Sequence, residues 1–176
     1  SKYQQRLLMN TRQNYGQGNG DGPYVDVLLS HAEVCFMMAE FILKGYAQGD
    51  AEDWYNQGIR SSIETYDWIA QKAKLNIRIA MEPYAYVPVS QSEIDAYVAQ
   101  PDVAFDGAND LEKVYIQQFF NFYRLPEEGW MLALRSGYPS YTSSIFARGY
   151  TDDPEIPFPR SMPTPDPGDL NRANWN

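Results

Sequence analysis

Apolar positions in the first half of the chain recur at helical spacing. Ser30, with Glu33 three residues on, matches a capping box, and Val34, Met37, Met38, Phe41 and Ile42 follow as a stripe that stops at Gly45. The loop from Tyr46 to Gly49 leads to Asp50, a good N-cap, with Glu52 and Asp53 where the positive end of a helix dipole favours them. Tyr55, Ile59, Ile63 and Tyr66, with Gly58 and Ser62 at intervening offsets, then line one helix face to about Ala73. The pattern predicts two antiparallel helices over 28–73, with Gly58 allowing close approach and Ala39 as its small partner on the first helix. A large aromatic stripe interleaved with small residues is the unit of tetratricopeptide-like packing. A lone pair cannot bury both its faces, so its partners are expected elsewhere in this chain or in further sequence.

The hairpin is flanked by irregular sequence. A lead-in over 1–24 ends in four Gly with Asn and Gln and no periodicity, which predicts an exposed loop. Residues 74–90 mix Ile77, Ile79, Tyr84, Tyr86 and Val87 with Pro83 and Pro88, which predicts an extended or irregular excursion. Ser90 with Glu93 opens a short helix bearing Ile94, Tyr97 and Val98, closed by Pro101. Asp106 to Asn109 is a turn. Asp110 then caps a helix through Tyr123 that carries Leu111, Val114, Tyr115, Gln118, Phe119 and Phe122. Pro126 starts another helix, beside Glu127 and Glu128, that runs through Trp130 and Leu134 to Gly137 and Pro139. Over 138–176 the periodicity fades, and half of all prolines fall between Pro154 and Pro167, so this tail is expected to lie extended across a surface built by other elements. The fold class is mainly α: a tetratricopeptide-like helix hairpin, further helices with long irregular loops, and an extended Pro-rich tail.

Charge and composition narrow the function. Twenty-three acidic against fourteen basic residues leave a net charge of −9, which repels a phosphate backbone and disfavours nucleic acid and anionic lipid as partners. No apolar run is long enough to span a bilayer. The opening Ser1-Lys2-Tyr3-Gln4-Gln5-Arg6 lacks an apolar stretch and a small-residue cleavage site, so a secretory signal is expected to be absent or already removed. The single cysteine, Cys35, rules out an internal disulfide and any thiolate metal cluster, and its helical setting reads as a small buried core residue.

Catalytic chemistry is poorly represented. His31 sits at a helix start with no flanking nucleophile. Glu127-Glu128 and Asp152-Asp153 are adjacent pairs whose side chains point apart, whereas a glycosidase needs two carboxylates facing each other across a bond. Residues 16–22 are rich in glycine but do not follow a strand or end in Gly-Lys-Ser/Thr, and Asn19-Gly20-Asp21-Gly22 lacks the spaced acids of a calcium loop. No enzyme, metal or cofactor is expected. Aromatic residues make up 15% of the chain, which suits either a well-filled core or faces that stack on ringed ligands.

Several segments, taken in order, resemble one family. Leu28 to Glu40 is similar to its pattern of two Ala-Glu pairs separated by apolar residues, and Ala51 to Tyr66 to its following helix. Ile116-Gln117-Gln118, Glu128-Gly129-Trp130 and Arg135-Ser136-Gly137-Tyr138-Pro139 resemble its Gln-Lys, Glu-Ala-Trp and Arg-Arg-Thr-Gly-Tyr-Pro signatures. Ile156-Pro157-Phe158-Pro159-Arg160, with Asn171 and Asn174, resembles its C-terminal ending. The family is SusD/RagB, nutrient-binding lipoproteins of the Bacteroidota surface. Departures are Leu134 for the first Arg of the pair, Gln118 for Lys and Gly129 for Ala, all of which touch packing and ion pairing. The resemblance covers roughly 25–176 and implies the C-terminal part of a single longer domain, whose N-terminal part would carry a lipidated cysteine and most of the repeat helices.

What the resemblance implies is non-catalytic capture of oligosaccharide, or of peptide in some members, at the outer-membrane surface, and delivery to a SusC-like TonB-dependent transporter. Aromatics on helix stripes, Phe36, Phe41, Tyr55, Tyr66, Tyr115, Phe119 and Trp130, are expected in the core, and Arg135 is expected to anchor a helix end or a carboxylate. The candidate ligand contacts are therefore aromatics off the helices: Tyr84, Tyr86, Tyr138, Tyr141 and Tyr150. A scaffold that binds only protein would instead expose a groove lined by Phe36, Met37 and Phe41, and an enzyme would show converging carboxylates in a cleft.

Overall fold

The computed structural model describes residues 27–73 and 87–146, and these form five helices and no strand. The lead-in 1–24, Tyr84 and Tyr86 of the excursion, and Tyr150 with the Pro-rich segment lie outside the described residues. Helix α1 is His31–Leu43, α2 Ala51–Ala73, α3 Gln91–Val98, α4 Asp110–Asn121 and α5 Pro126–Ser136.

The termini follow the expected chemistry. Ser30 Oγ accepts the Glu33 N–H at 3.1 Å, and Asp50 Oδ1 accepts the N–H groups of Glu52 and Asp53 at 3.0 and 3.1 Å. At α3 the Ser90 N–H donates to Glu93 at 2.9 Å, the reciprocal half of a capping box. Gly137 closes α5 at φ 79°, a left-handed turn that glycine enters without steric cost. Asp110 differs from expectation. Asn109 occupies the cap position, and Asp110 is the first helical residue, its carboxylate turned back to accept the N–H groups of Asp106 and Gly107. Helix α4 also stops at Asn121, two residues short of the expected Tyr123.

Helices α1 and α2 pack along their length, α1 lies on α4, and α5 folds back on α4. The core joins Ala32, Phe36 and Ala39 of α1 to Tyr55 and Ile59 of α2, Val103 of the α3–α4 turn and Val114 of α4. Tyr55 donates from its buried hydroxyl to the Val103 carbonyl at 2.9 Å, and its ring stacks on Phe105. Cys35 is buried, as expected, 3.6 Å from Nε2 of His31, which stays exposed beside Ser61.

Two expectations for α1 need correction. The buried stripe is Ala32, Cys35, Phe36, Ala39 and Glu40, while Phe41, expected in the core, is 43% exposed. Helix α1 is apolar on most sides, and the face of small residues wins the contact with α2 because it lets the backbones come close. The small position at the crossing, Gly58, meets Phe36 rather than Ala39: a Cβ built there would stand 2.7 Å from the Phe36 ring. Because Phe36 is fully buried, the exposed groove of Phe36, Met37 and Phe41 that a protein-binding scaffold required does not form.

Candidate functional site

Beside this core, α2, α3, α4 and α5 line an open cavity of about 690 Å³. One wall is α2, through Ile59, Ser62, Ile63 and Tyr66, and Tyr97 of α3 faces it. Phe119 and Phe120 of α4, Phe122 and Tyr123 of the turn that follows, and Trp130 of α5 complete an aromatic lining. The turn after α4 creates this concentration: Phe122 and Tyr123 leave the helix just before Pro126 starts α5, so rings from two helices and their connection converge. Gly129, buried in α5, faces Phe119 and Phe122.

Polar groups in the wall are mostly committed to one another. The Tyr66 hydroxyl donates to the Asn121 carbonyl at 2.8 Å, tying α2 to the end of α4. The Tyr97 hydroxyl donates to Gln117 Oε1 at 3.1 Å and accepts from Gln117 Nε2 at 2.8 Å. Burial pushes both phenols above their ordinary range, so they remain protonated donors. Around the rim, Asp67 accepts the Val89 N–H at 3.1 Å and Arg60 pairs with Asp95 at 2.7 Å, fixing α3 to α2.

The aromatics expected in the core thus divide. Phe36, Tyr55 and Tyr115 are buried, whereas Tyr66, Phe119 and Trp130 line the cavity. Of the candidate ligand contacts, Tyr138 is half-buried with its ring stacked on Tyr115 at 5.8 Å, and Tyr141 is also half-buried. Neither lines the cavity. The sequence signal that could have revealed it is the cluster Phe119, Phe120, Phe122 and Tyr123, too many rings in five positions for one helix face to bury.

A second feature joins three helices. Glu40 of α1, 2% exposed, receives Arg135 of α5 through both terminal nitrogens, Lys44 at 2.8 Å and the Tyr115 hydroxyl at 3.0 Å. Burial would raise this carboxyl, but the hydrogen bonds from Arg135, Lys44 and Tyr115 outweigh it and hold it at about 2. Arg135 therefore anchors a carboxylate, as expected. A third, a hollow of about 40 Å³ by Ser30, Glu33 and Arg124, has room for water only. Burial and then the charge of Glu128 raise the Glu33 carboxyl there. No group of three metal-ligating side chains occurs among the described residues.

Comparison with known proteins agrees with this architecture. A SusD-like family described as "Starch-binding associating with outer membrane" matches residues 2–163. Among solved structures, a Bacteroidetes SusD-like protein, AC2a, is 28% identical with a TM-score of 0.52 over 72% of this chain. An outer membrane protein of Bacteroides vulgatus ATCC 8482, for which involvement in nutrient binding is suggested, is 22% identical with a TM-score of 0.50 over 69% of the chain. The matches span 21% and 24% of those two proteins, so this chain corresponds to a fraction of their length. Among curated proteins none matches.

Proposed function

Because the chain belongs to the SusD-like family described as starch-binding and outer-membrane-associating, we propose that it is part of a surface protein that captures oligosaccharide without catalysis and delivers it to a SusC-like TonB-dependent transporter. The observation that carries this reading is the aromatic cavity. Sugar rings present C–H faces that pack on aromatic rings, and Phe120 and Tyr123 keep 38% and 55% of their surface open beside it. A neutral glycan also tolerates a binder of net charge −9. The family's association with the outer membrane supports a lipid-anchored parent at the cell surface.

The test is calorimetric titration of the full-length protein with a panel of plant and host oligosaccharides and with peptides. Saturable binding of one glycan class, weakened several-fold by Tyr123→Ala, is the expected outcome. Tyr84→Ala and Tyr86→Ala report whether the excursion adds ring contacts. Binding of peptides in place of glycans would overturn the cargo and leave capture standing.

A further inference from the structure

We propose that the cavity takes the aryl or acyl group of an uncharged, apolar-substituted saccharide and turns acidic saccharides away; the inference rests on the saccharide reading of the same site. A bare sugar buried there would strip water from several hydroxyls and find few partners. Tyr66 is committed to the Asn121 carbonyl, Tyr97 and Gln117 to each other, and Glu93 holds both the N–H and the hydroxyl of Ser90. Each hydroxyl buried without a partner costs the full penalty of the water it loses. An aryl or acyl group has far fewer hydrogen bonds to lose, at most those to one acyl carbonyl, and it meets the rings of Phe119, Phe122 and Trp130. The volume of about 690 Å³ falls in the range of pockets that enclose such ligands. Sugar left at the mouth keeps its water and packs on the open faces of Phe120 and Tyr123.

Charge narrows the class further. The lining contains Glu93 and no Lys or Arg; next to it stand Asp67 and Glu127 on the acidic side, and Arg124 and the Asp95-paired Arg60 on the basic side. The neighbouring charges largely offset one another, so Glu93 in the lining, with a net charge of −9 behind it, is what opposes a uronate or sulfate.

The experiment titrates the full-length protein with maltose, phenyl maltoside, phenyl glucoside, phenyl glucuronide and phenol. Phenyl maltoside is expected to bind about tenfold or more tighter than maltose, with a more negative heat-capacity change, and phenyl glucoside tighter than phenyl glucuronide. Ser62→Trp, which fills the cavity from the α2 wall, should remove the gain from the phenyl group, so that phenyl maltoside and maltose bind alike. The heat-capacity change needs no variant and decides the matter if Ser62→Trp does not fold. Equal affinity for maltose and phenyl maltoside would overturn the inference while the saccharide reading stands. Phenol binding as tightly as phenyl maltoside, or no binding by any probe, would overturn both.

Discussion

Arg135 grips Glu40 through both terminal guanidinium nitrogens, at 2.6 and 3.0 Å, across 95 positions of sequence. Lys44 and the Tyr115 hydroxyl share the same carboxylate, and the Arg135 and Lys44 cations both sit near the Tyr115 ring, at 5.7 and 5.6 Å from its centre. Tyr138 also stacks against Tyr115. One buried acid therefore holds α1, α4 and α5 in register, and α4, α5 and the turn between them carry most of the rings of the cavity.

Removing the acid should cost more than removing one base. Glu40→Ala leaves two cations and a phenol without their acceptor, and a loss of roughly 2–4 kcal/mol is expected. Arg135→Ala leaves Lys44 and Tyr115 in place, and Arg135 is 50% exposed, so about 1–2 kcal/mol is expected. Urea unfolding of the full-length protein measures both. The double variant should lose less than the sum, because both changes act on one network; strict additivity would show that the pair does not interact.

Acid should weaken the same tie. The folded carboxyl of Glu40 titrates at about 2 against an ordinary 4.5, so the unfolded chain takes up the proton first as pH falls. Its contribution is complete above about pH 5 and is lost progressively as pH drops through 4.5 toward 2. Asp106, held at about 2 by the N–H groups of Ala108 and Asn109 and by Lys113, acts in the same direction. Glu40→Gln should therefore flatten, but not abolish, the fall in stability between pH 5 and pH 2. A slope unchanged from that of the parent would remove Glu40 from the acid response.

The helices and their caps were legible because their signals are local. Ser30, Asp50, Ser90, Pro126 and Gly137 each act within a few residues of where they stand. That Arg135 would meet a carboxylate was also legible, but its partner was not, since nothing at position 40 marks a contact so distant in sequence. The inward face of α1 is not legible from side-chain size, because closeness of approach decides it: Phe41 is the larger target, and Ala32, Cys35 and Ala39 are the ones that fit against α2. Lys113 gave no sign of burial, yet its ammonium is enclosed by the carbonyls of Pro101 and Ala104 and the carboxylate of Asp106. The cavity was hidden for the opposite reason. Rings spaced for a core read as core, and whether Tyr66, Phe119 and Trp130 meet each other or enclose a space depends on helix placement that no local pattern records.

Gly58 should not tolerate even a methyl group. Alanine is favoured over glycine in a helix interior by about 1 kcal/mol, yet its Cβ would lie 2.7 to 3.0 Å from three atoms of the Phe36 ring, which is fully buried and cannot swing away. Overpacking of this kind costs typically 1–3 kcal/mol, so Gly58→Ala is expected to destabilise on balance. Phe36→Leu removes the clashing ring edge, and the double variant should recover part of what Gly58→Ala loses. Chemical denaturation of the four proteins in the cycle checks this, and a stabilising Gly58→Ala would show that α1 and α2 can separate freely.

Gly129 should behave in the opposite way. It also lies inside a helix and is buried, but a Cβ there would stand 3.4 and 3.5 Å from Phe119 and 3.7 Å from Phe122, ordinary contact distances. Its backbone is not left-handed, so alanine meets no strain. Gly129→Ala then gains the helix preference and restricts the unfolded chain, for about 0.5–1 kcal/mol of added stability in urea denaturation. The added methyl lies among residues that line the cavity and takes a little of its space, so the affinity for a phenyl-bearing saccharide should fall slightly while that for maltose holds. A destabilised Gly129→Ala protein would mean that α5 already sits as close to Phe119 as the rings allow, leaving the aromatic wall no slack to adapt to a ligand.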